Sequence, residues 1–449
     1  MGKYFGTDGI RGIAGTELDA ELAFKVGRAA ATVLAGETEK RARVLIGRDT
    51  RISCDMLEAA LAAGLCSAGA DVTLLGVLPT PAVACLTVAA KASAGIVITA
   101  SHNTFETNGI KIFGETGFKL TDVLEESIEK LIDDGSSIEK KTGADLGRIG
   151  GDHVYYTNEY VKSLISAAKG QYPGRIAIDC ANGASFETAR ALFRELGAEF
   201  EIISDHPNGV NINDNCGSTH ISVLQDFMRT GRFSIGFTFD GDADRCLIVD
   251  ERGEVVDGDM ILAVIARDMI ASGTLRGGAV IGTVNSNSGM SVFARDNGIE
   301  FLRAQTGDRY VLEMMQETGC NLGGESSGHI IFTDDATTGD GQLTAIKFLN
   351  VVIASGKTVS ELVSDIPSYP QVMLNYRLTG GAEERESIMA NPLFQEEVAN
   401  LQRFLESSGG RVLVRPSGTE PVIRVLVEAD TEALALEKAQ SLIDFMKTL

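Results

Sequence analysis

Short unbroken apolar runs along the chain alternate with stretches whose apolar residues recur every three or four positions, the signatures of buried strands and amphipathic helices. One such unit occurs three times. Val44-Leu45-Ile46-Gly47-Arg48-Asp49 reads as a strand ending in polar residues, a helical pattern follows through Leu57, Ala60, Leu61 and Leu65, and Gly69-Ala70-Asp71 stops the helix and leads into Val72-Thr73-Leu74-Leu75. The second unit runs Ile176-Ala177-Ile178-Asp179, a helix over Ala189 to Leu196, then Gly197-Ala198-Glu199 and Phe200-Glu201-Ile202-Ile203. The third runs Ala279-Val280-Ile281-Gly282-Thr283, a helix near Val292 to Arg295, then Gly298-Ile299-Glu300-Phe301-Leu302. Glycine just past a helix accepts the left-handed conformation that ends it. Each unit therefore reads as strand, helix, strand, with the two strands expected to be parallel neighbours. The copies lie too far apart for a solenoid and predict related domains in tandem.

Breaks in the pattern place the boundaries. The stretch from Asp133 to Gly151 is rich in Gly, Ser and charge and reads as a first linker. Asp250-Glu251-Arg252-Gly253 is a turn between two strands near a second boundary, and Ile366-Pro367-Ser368-Tyr369-Pro370 reads as a third linker, since two prolines interrupt pairing. These predict mixed-sheet α/β domains at 1–150, 151–252 and 253–368, followed by a smaller α+β domain at 369–449. In the last, Arg411 to Arg415 and Val422 to Val427 read as two strands around the loop Pro416 to Pro421, and Thr431 to Met446 as an amphipathic helix.

The 449 residues are 44% hydrophobic and 23% charged, ample for large cores, with a net charge of -22. That charge argues against nucleic acid, whose backbone calls for clustered Lys and Arg. It also means that an anion site must be built locally from arginines and backbone N–H groups. Seven scattered cysteines without zinc or CxxC spacing suit a reducing compartment. No apolar run approaches the ~18 residues a membrane span needs, and the first residues lack the apolar core of a secretory signal. A cytoplasmic protein without membrane or nucleic-acid partners is expected.

Four stretches carry candidate chemistry. Gly95-Ile96-Val97-Ile98-Thr99-Ala100-Ser101-His102-Asn103 is a buried strand ending abruptly in polar residues. Open α/β sheets bind ligands beyond such strand ends. Ser101 there could carry a covalent phosphoryl group or simply cap a helix. A serine hydrolase is disfavoured: Ser101 and His102 are adjacent, neighbours on an extended chain point to opposite sides, and no Gly-x-Ser-x-Gly elbow surrounds Ser101. In Phe237-Thr238-Phe239-Asp240-Gly241-Asp242-Ala243-Asp244-Arg245, three carboxylates alternate at another strand end. Together they repel unless a cation sits among them, and hard oxygen ligands suit Mg²⁺ or Ca²⁺. An EF-hand does not fit, because Arg245 stands where its loop turns on glycine and strands flank the segment; a solvated acidic turn remains the plain alternative. A phosphoserine beside three aspartates calls for cations besides the metal, with Arg11, Lys111 and Arg245 as candidates. Gly323-Gly324-Glu325-Ser326-Ser327-Gly328-His329 offers a carboxylate and a hydroxyl for sugar hydroxyls and His329 as a base, or is an ordinary turn. Arg415-Pro416-Ser417-Gly418-Thr419-Glu420-Pro421, with Arg424 beyond, gathers hydroxyls, backbone N–H groups and two arginines into a phosphate cradle, or is a hairpin with surface arginines.

Taken with Lys3 to Gly12 and Asn108-Gly109-Ile110-Lys111, these motifs in this order make the whole chain resemble the α-D-phosphohexomutase superfamily. Asn211 to His220 resembles its glucosamine branch. The resemblance implies four domains, the first three alike, around a central cleft. It implies phosphorylated Ser101, with His102 beside it in the same motif, and Mg²⁺ on Asp240, Asp242 and Asp244 with a phosphoserine oxygen. Arg11, Lys111, Arg245 and His329 would lie near the transferred group. Glu325 and Ser327 would read the sugar, and Arg415, Ser417, Gly418, Thr419 and Arg424 the substrate phosphate. The implied reaction is the interconversion of glucosamine 6-phosphate and glucosamine 1-phosphate through a bisphosphorylated sugar, which also serves as activator, on the route to UDP-N-acetylglucosamine. A phosphomannomutase/phosphoglucomutase of broader specificity and a non-catalytic metal- or sugar-phosphate-binding protein are the alternatives. A homodimer is the family's expectation. Two positions depart from the pattern: Ala243 where glycine is common, and Ser326 where the glucosamine branch commonly has glutamine.

Overall fold

The computed structural model describes residues 2–6, 8–35, 41–406, 408–417 and 421–449. Its strands form four sheets. Three of these share one order. In the first, Thr107–Gly114, Ala94–Ile98, Arg43–Arg48 and Asp71–Val77 are successive neighbours, the last three parallel and Thr107–Gly114 antiparallel to Ala94–Ile98. In the second, Cys246–Asp250, Ile235–Phe239, Arg175–Asp179 and Glu199–Ile203 repeat that order and those directions. In the third, Ile330–Phe332, Leu322–Gly324, Ala279–Thr283 and Glu300–Ala304 repeat the order, with Leu322–Gly324 parallel to Ala279–Thr283 and antiparallel to Ile330–Phe332. The strand-helix-strand units expected from the sequence are thus the last two strands, an inner one and its outer neighbour, in each of three like-ordered mixed sheets.

This shared order positions the chemistry. Each unit's third strand turns back into an antiparallel fourth, and the turn lies at the third strand's carboxyl end. Ser101 lies in the turn after Ala94–Ile98, the three aspartates in the turn after Ile235–Phe239, and Glu325 to His329 in the turn after Leu322–Gly324. All three of these strands are buried throughout, which is what continuous apolar runs predict for strands covered on both faces. In the first unit, helices Ala20–Leu34 and Ser53–Ser67 lay Ala23, Val26, Leu57, Leu61 and Leu65 against Val44, Ile46, Ile96 and Ile98. Each such large aliphatic side chain contributes about 1.5–3 kcal/mol by leaving water.

The first sheet has strands the pattern did not announce. Phe5–Gly6 and Gly9–Ile13 extend it beyond Thr107–Gly114, and Ile149–Gly151 adds to its other edge, with Ile149 opposite Val72. The sequence placed 149–151 in a linker. These residues are exposed, and the backbone ladder rather than apolar burial makes them a strand.

The chain divides into two compact units, Met1–Val284 with Leu302–Ser364, and Asn285–Phe301 with Asp365–Leu449. The second contains the smaller sheet, an antiparallel set ordered Gln371–Arg377, Val422–Glu428, Arg411–Pro416. Two strands were expected there and three are found. Gln371–Arg377 alternates exposed and half-buried residues, so it lacks the dense apolar run of its neighbours. Helices Pro392–Glu406 and Glu432–Met446 bring Phe394, Leu405, Leu442 and Met446 onto Ile423, Val425 and Val427. The fully buried carboxylate of Glu428 accepts from Ser288 N–H at 2.9 Å, Ser288 Oγ, Gln371 Nε2 at 2.9 Å and Arg411 Nη2 at 3.0 Å. That set of donors offsets the cost of burying the charge and ties the start of helix Gly289–Asp296 to this unit.

Candidate active site

Ser101 has a φ of 53°, left-handed for a residue with a Cβ, and its side chain is buried. Such backbone costs on the order of 1 kcal/mol and concentrates at functional sites. The turn aims Ser101 Oγ at Asp240, to which it donates at 2.8 Å. It also brings His102 Nδ1 to 3.4 Å from Oγ. The premise that the two side chains diverge on an extended chain therefore fails, because the chain is not extended here. Ser101 Oγ nonetheless spends its proton on Asp240, in no serine-hydrolase arrangement.

Carboxylate oxygens of Asp240, Asp242 and Asp244, all buried, lie within 4.8 Å of one another. Asp242 Oδ2 accepts from Thr80 Oγ1 at 2.6 Å and Lys111 Nζ at 3.0 Å. Asp242 Oδ1 and Asp244 Oδ1 accept no hydrogen bond among the described residues. Burial, then Asp244 and Asp242, push Asp240 well above the usual carboxylate range. Burial also acts on Asp244, but Lys111 and His329 outweigh it and hold it low. Oxygens converging from three carboxylates, two of which hold an orphaned oxygen, are the donor set of a hard cation, and the cluster points to metal binding. Ala243, between the last two aspartates, takes a φ of 55°, which accounts for glycine being common there.

The positive groups fall where the charge requires them. Lys111 Nζ is buried, 3.0 Å from Asp242, 3.2 Å from Asp8 and 3.6 Å from Asp244. Burial opposes its charge, yet Asp242 and Asp8 raise its pKa. Arg245 donates its amide to Asp240 Oδ1 at 3.2 Å and its guanidinium lies 3.9 Å from Asp244. Arg11 pairs with Asp8. Burial, then the charges of Arg245 and Arg11, lower His102 to about 4. His329 is pulled the other way: burial opposes charging, but Asp244 and Asp308 raise it to about 9. The Gly339 amide points at His329 Nε2 from 3.1 Å, so in the neutral ring the proton sits on Nδ1, facing Asp244 at 3.6 Å.

Asp8, Arg11, Ser101, His102, Asp244, Arg245, Glu325 and His329 line one cleft of about 260 Å³, together with Thr306 to Tyr310. Glu325 Oε1 accepts the Gly307 amide at 3.0 Å. Ser327 and Ser326, on the same turn, do not line the cleft. The sequence reading gave no role to Asp8, Lys119 or Asp308. Lys119 Nζ bridges Asp8 at 2.6 Å and Asp308 at 2.7 Å. The signal for Asp308 was present: Thr306-Gly307-Asp308 is another polar turn at a strand end, opening helix Asp308–Thr318.

In the second unit, Arg415 and Arg424 face each other across paired strands. Burial, then Arg424, lowers the Arg415 pKa. Like charges placed opposite each other cost stability, and an anion between them would relieve the cost. Ser417 is buried, its amide donating to Val422 O at 2.9 Å. Gly418 and Thr419 lie outside the described residues.

The sequence matches family models along almost its whole length: the phosphoglucomutase/phosphomannomutase α/β/α domain I over residues 2–139, domain II over 155–253, domain III over 257–369, and the C-terminal domain over 373–444. The chain belongs to the phosphoglucomutase/phosphomannomutase family. Among the relatives of this phosphohexomutase, the phosphoglucosamine mutase of Acetivibrio thermocellus is 48% identical over 445 residues, covering 99% of this chain and 98% of that one. That of Shouchella clausii is 46% identical over 448 residues, covering 100% and 99%. A phosphoglucomutase/phosphomannomutase family protein of Burkholderia thailandensis has the same fold, with a TM-score of 0.82 at 27% identity over 100% of this chain and 98% of that one.

Proposed function

We propose that this phosphohexomutase interconverts glucosamine 6-phosphate and glucosamine 1-phosphate, with Ser101 as the phosphoryl carrier and Mg²⁺ held by Asp240, Asp242 and Asp244. The observation that carries the reading is the hydrogen bond from a buried, left-handed Ser101 to an aspartate of a three-carboxylate cluster with orphaned oxygens. The identity of its relatives supports the amino sugar.

In the proposed cycle, phospho-Ser101 gives its phosphoryl group to the free hydroxyl of the sugar phosphate. The P–O bond to serine breaks, a P–O bond to the sugar forms, and the hydroxyl proton ends on Ser101 Oγ, with Lys111 or His329, both held protonated by neighbouring aspartates, handling the exchange. The bisphosphate turns over in the cleft, and its other phosphoryl group returns to Ser101 Oγ. Mg²⁺, when bound, supplies positive charge to the phosphoryl oxygens. Arg245 and Arg11 add charge where the transfer develops it, and Glu325 orients the sugar. Arg415, Ser417, Gly418, Thr419 and Arg424 hold the phosphate that is not reacting. Arrangement as a cytoplasmic homodimer belongs to the same proposal; all seven cysteines are free thiols, as a reducing compartment requires.

Initial rates on glucosamine, glucose and mannose 6-phosphates, with Mg²⁺ and a trace of hexose bisphosphate, test the substrate. A strong preference for the amino sugar is expected, and equal or better rates on glucose or mannose would favour the broader mutase. Ser326 is the one position that favours this second reading, and its side chain is absent from the cleft lining. Ser101→Ala should abolish turnover; retained activity would refute the covalent step.

A further inference from the structure

The turn that carries Ser101 is held from behind by two side chains to which nothing in the reaction assigns a role. Arg51 is fully buried and pairs with Asp49 at 2.8 Å. Its other guanidinium donors reach main-chain carbonyls of the Ser101 turn: Nη2 donates to Ser101 O at 3.0 Å and Asn103 O at 2.9 Å, and Nη1 donates to Thr104 O and, at 3.2 Å, to Thr107 O. Asn213, in the stretch that follows Glu199–Ile203 of the second mixed sheet, donates Nδ2 to the same two carbonyls, Ser101 O at 2.9 Å and Asn103 O at 2.8 Å. It is buried and itself left-handed, with a φ of 56°.

Two observations show that the surroundings are shaped for this contact. A Cβ on Gly241 would lie 2.5 Å from Ser101 O and 2.6 Å from Asn213 Nδ2, so only glycine between Asp240 and Asp242 leaves room. On the other side, Asp49 Oδ2 accepts from Thr99 Oγ1 at 2.7 Å, and Thr99 Oγ1 accepts the Ser101 amide at 3.0 Å. The Ser101 peptide groups are thus pinned on both sides.

We propose that Asn213 and Arg51 are positioning residues that clamp the Ser101 and Asn103 carbonyls, hold Ser101 left-handed and so keep Oγ aimed at Asp240. Asn213 acts from the unit that carries the aspartates, so it registers the serine turn against the metal turn. A left-handed serine without such support relaxes toward ordinary backbone, and displacement of a reacting atom by about an ångström costs rates on the order of 100-fold. The proposal rests on Ser101 being the phosphoryl carrier.

The test compares Asn213→Ala, Arg51→Lys and Ser101→Ala with the parent protein. Arg51→Lys keeps the charge beside Asp49 but loses the planar fork. Turnover is expressed per phosphorylated chain, counted by intact mass, which removes any loss of folded protein. The expected result for both clamp variants is a kcat at least fivefold lower, with KM for glucosamine 6-phosphate unchanged within twofold. Amide hydrogen exchange over residues 99–107 should rise at least tenfold, with the rest of the chain unchanged. A kcat drop below fivefold, or a change carried by KM alone, would overturn the clamp. If Asn213→Ala does not fold, the isosteric Asn213→Asp, which lacks the donors, is held to the same limits. Full turnover by Ser101→Ala would instead refute the carrier reading, and the exchange rates would then judge the clamp alone.

Discussion

Lys111→Met removes a charge, at nearly constant volume, from a point ringed by three carboxylates. The Lys111 ammonium lies 3.0 Å from Asp242, 3.2 Å from Asp8 and 3.6 Å from Asp244, with almost no exposure. Removing one partner of a buried ion pair costs about 3–5 kcal/mol, because the remaining charge stays buried and unpaired. The variant should therefore melt well below the parent in the presence of a chelator. The aspartates it leaves behind no longer share their field with an ammonium, so they should bind a divalent cation at least tenfold more tightly. At equal Mg²⁺, that is about 1.4 kcal/mol of additional stabilisation. At roughly 2–4 °C per kcal/mol for a large domain, Mg²⁺ should raise the melting temperature of Lys111→Met by about 3–6 °C more than it raises that of the parent. Differential scanning fluorimetry with chelator and with a Mg²⁺ series measures both quantities. Equal Mg²⁺ shifts in the two proteins would refute the reasoning, since the ammonium and the cation would then not be competing for the same carboxylates.

Three further outcomes follow from the charges around the site. His102 is held at about 4 in the fold against 6.5 unfolded, so only the unfolded chain takes up its proton between those values and stability falls as pH drops from 6.5 toward 4; between pH 7 and 5, His102→Gln should lose about 1–2 kcal/mol less than the parent in urea melts. Tyr160 donates to Asp340 at 2.9 Å, and burial raises Asp340 to about 6; Tyr160→Phe should cost about 2 kcal/mol at pH 8, where the carboxylate is charged, and clearly less at pH 5, where it is protonated. Arg415→Gln relieves the opposition to Arg424, so it should leave the melting temperature unchanged or higher while raising KM for the sugar phosphate roughly 30-fold, the loss of about 2 kcal/mol of charge-assisted hydrogen bonding.

Much of this arrangement is written in the sequence wherever a dense local pattern meets an abrupt change. The run Ile96-Val97-Ile98 ending at Ser101, and Phe237 to Asp244, marked strand ends because burial and chemistry switch within a few residues. What the sequence hid acts at a distance or through the backbone. Asn213 and Arg51 are ordinary polar residues until the fold brings them to the same two carbonyls. Lys119 sits alone among apolar neighbours, and only its meeting with Asp8 and Asp308 places it in a network. Ile149–Gly151 and Gln371–Arg377 are strands by pairing rather than by burial. The left-handed turn at Ser101, which brings His102 near its hydroxyl, has no counterpart in residue type, since serine rarely takes that backbone unaided.

The common order of the three mixed sheets has a consequence for how such a protein diverges. One structural frame, the return from a buried third strand into its antiparallel partner, is used three times to present different side chains. On the proposed sugar role of Glu325, a change of sugar preference can then be written into the turn after Leu322–Gly324 without redrafting the turns after Ala94–Ile98 or Ile235–Phe239. That independence has a limit. Cys246 N–H donates to Gly328 O at 2.9 Å, so the end of the aspartate turn is stitched through main chain to the turn after Leu322–Gly324. A side chain such as Ser326 can vary there while the backbone, with Gly328 packed against Cys246 O, stays in place, a partition that lets a lineage explore new substrates yet keeps the two joined turns in register.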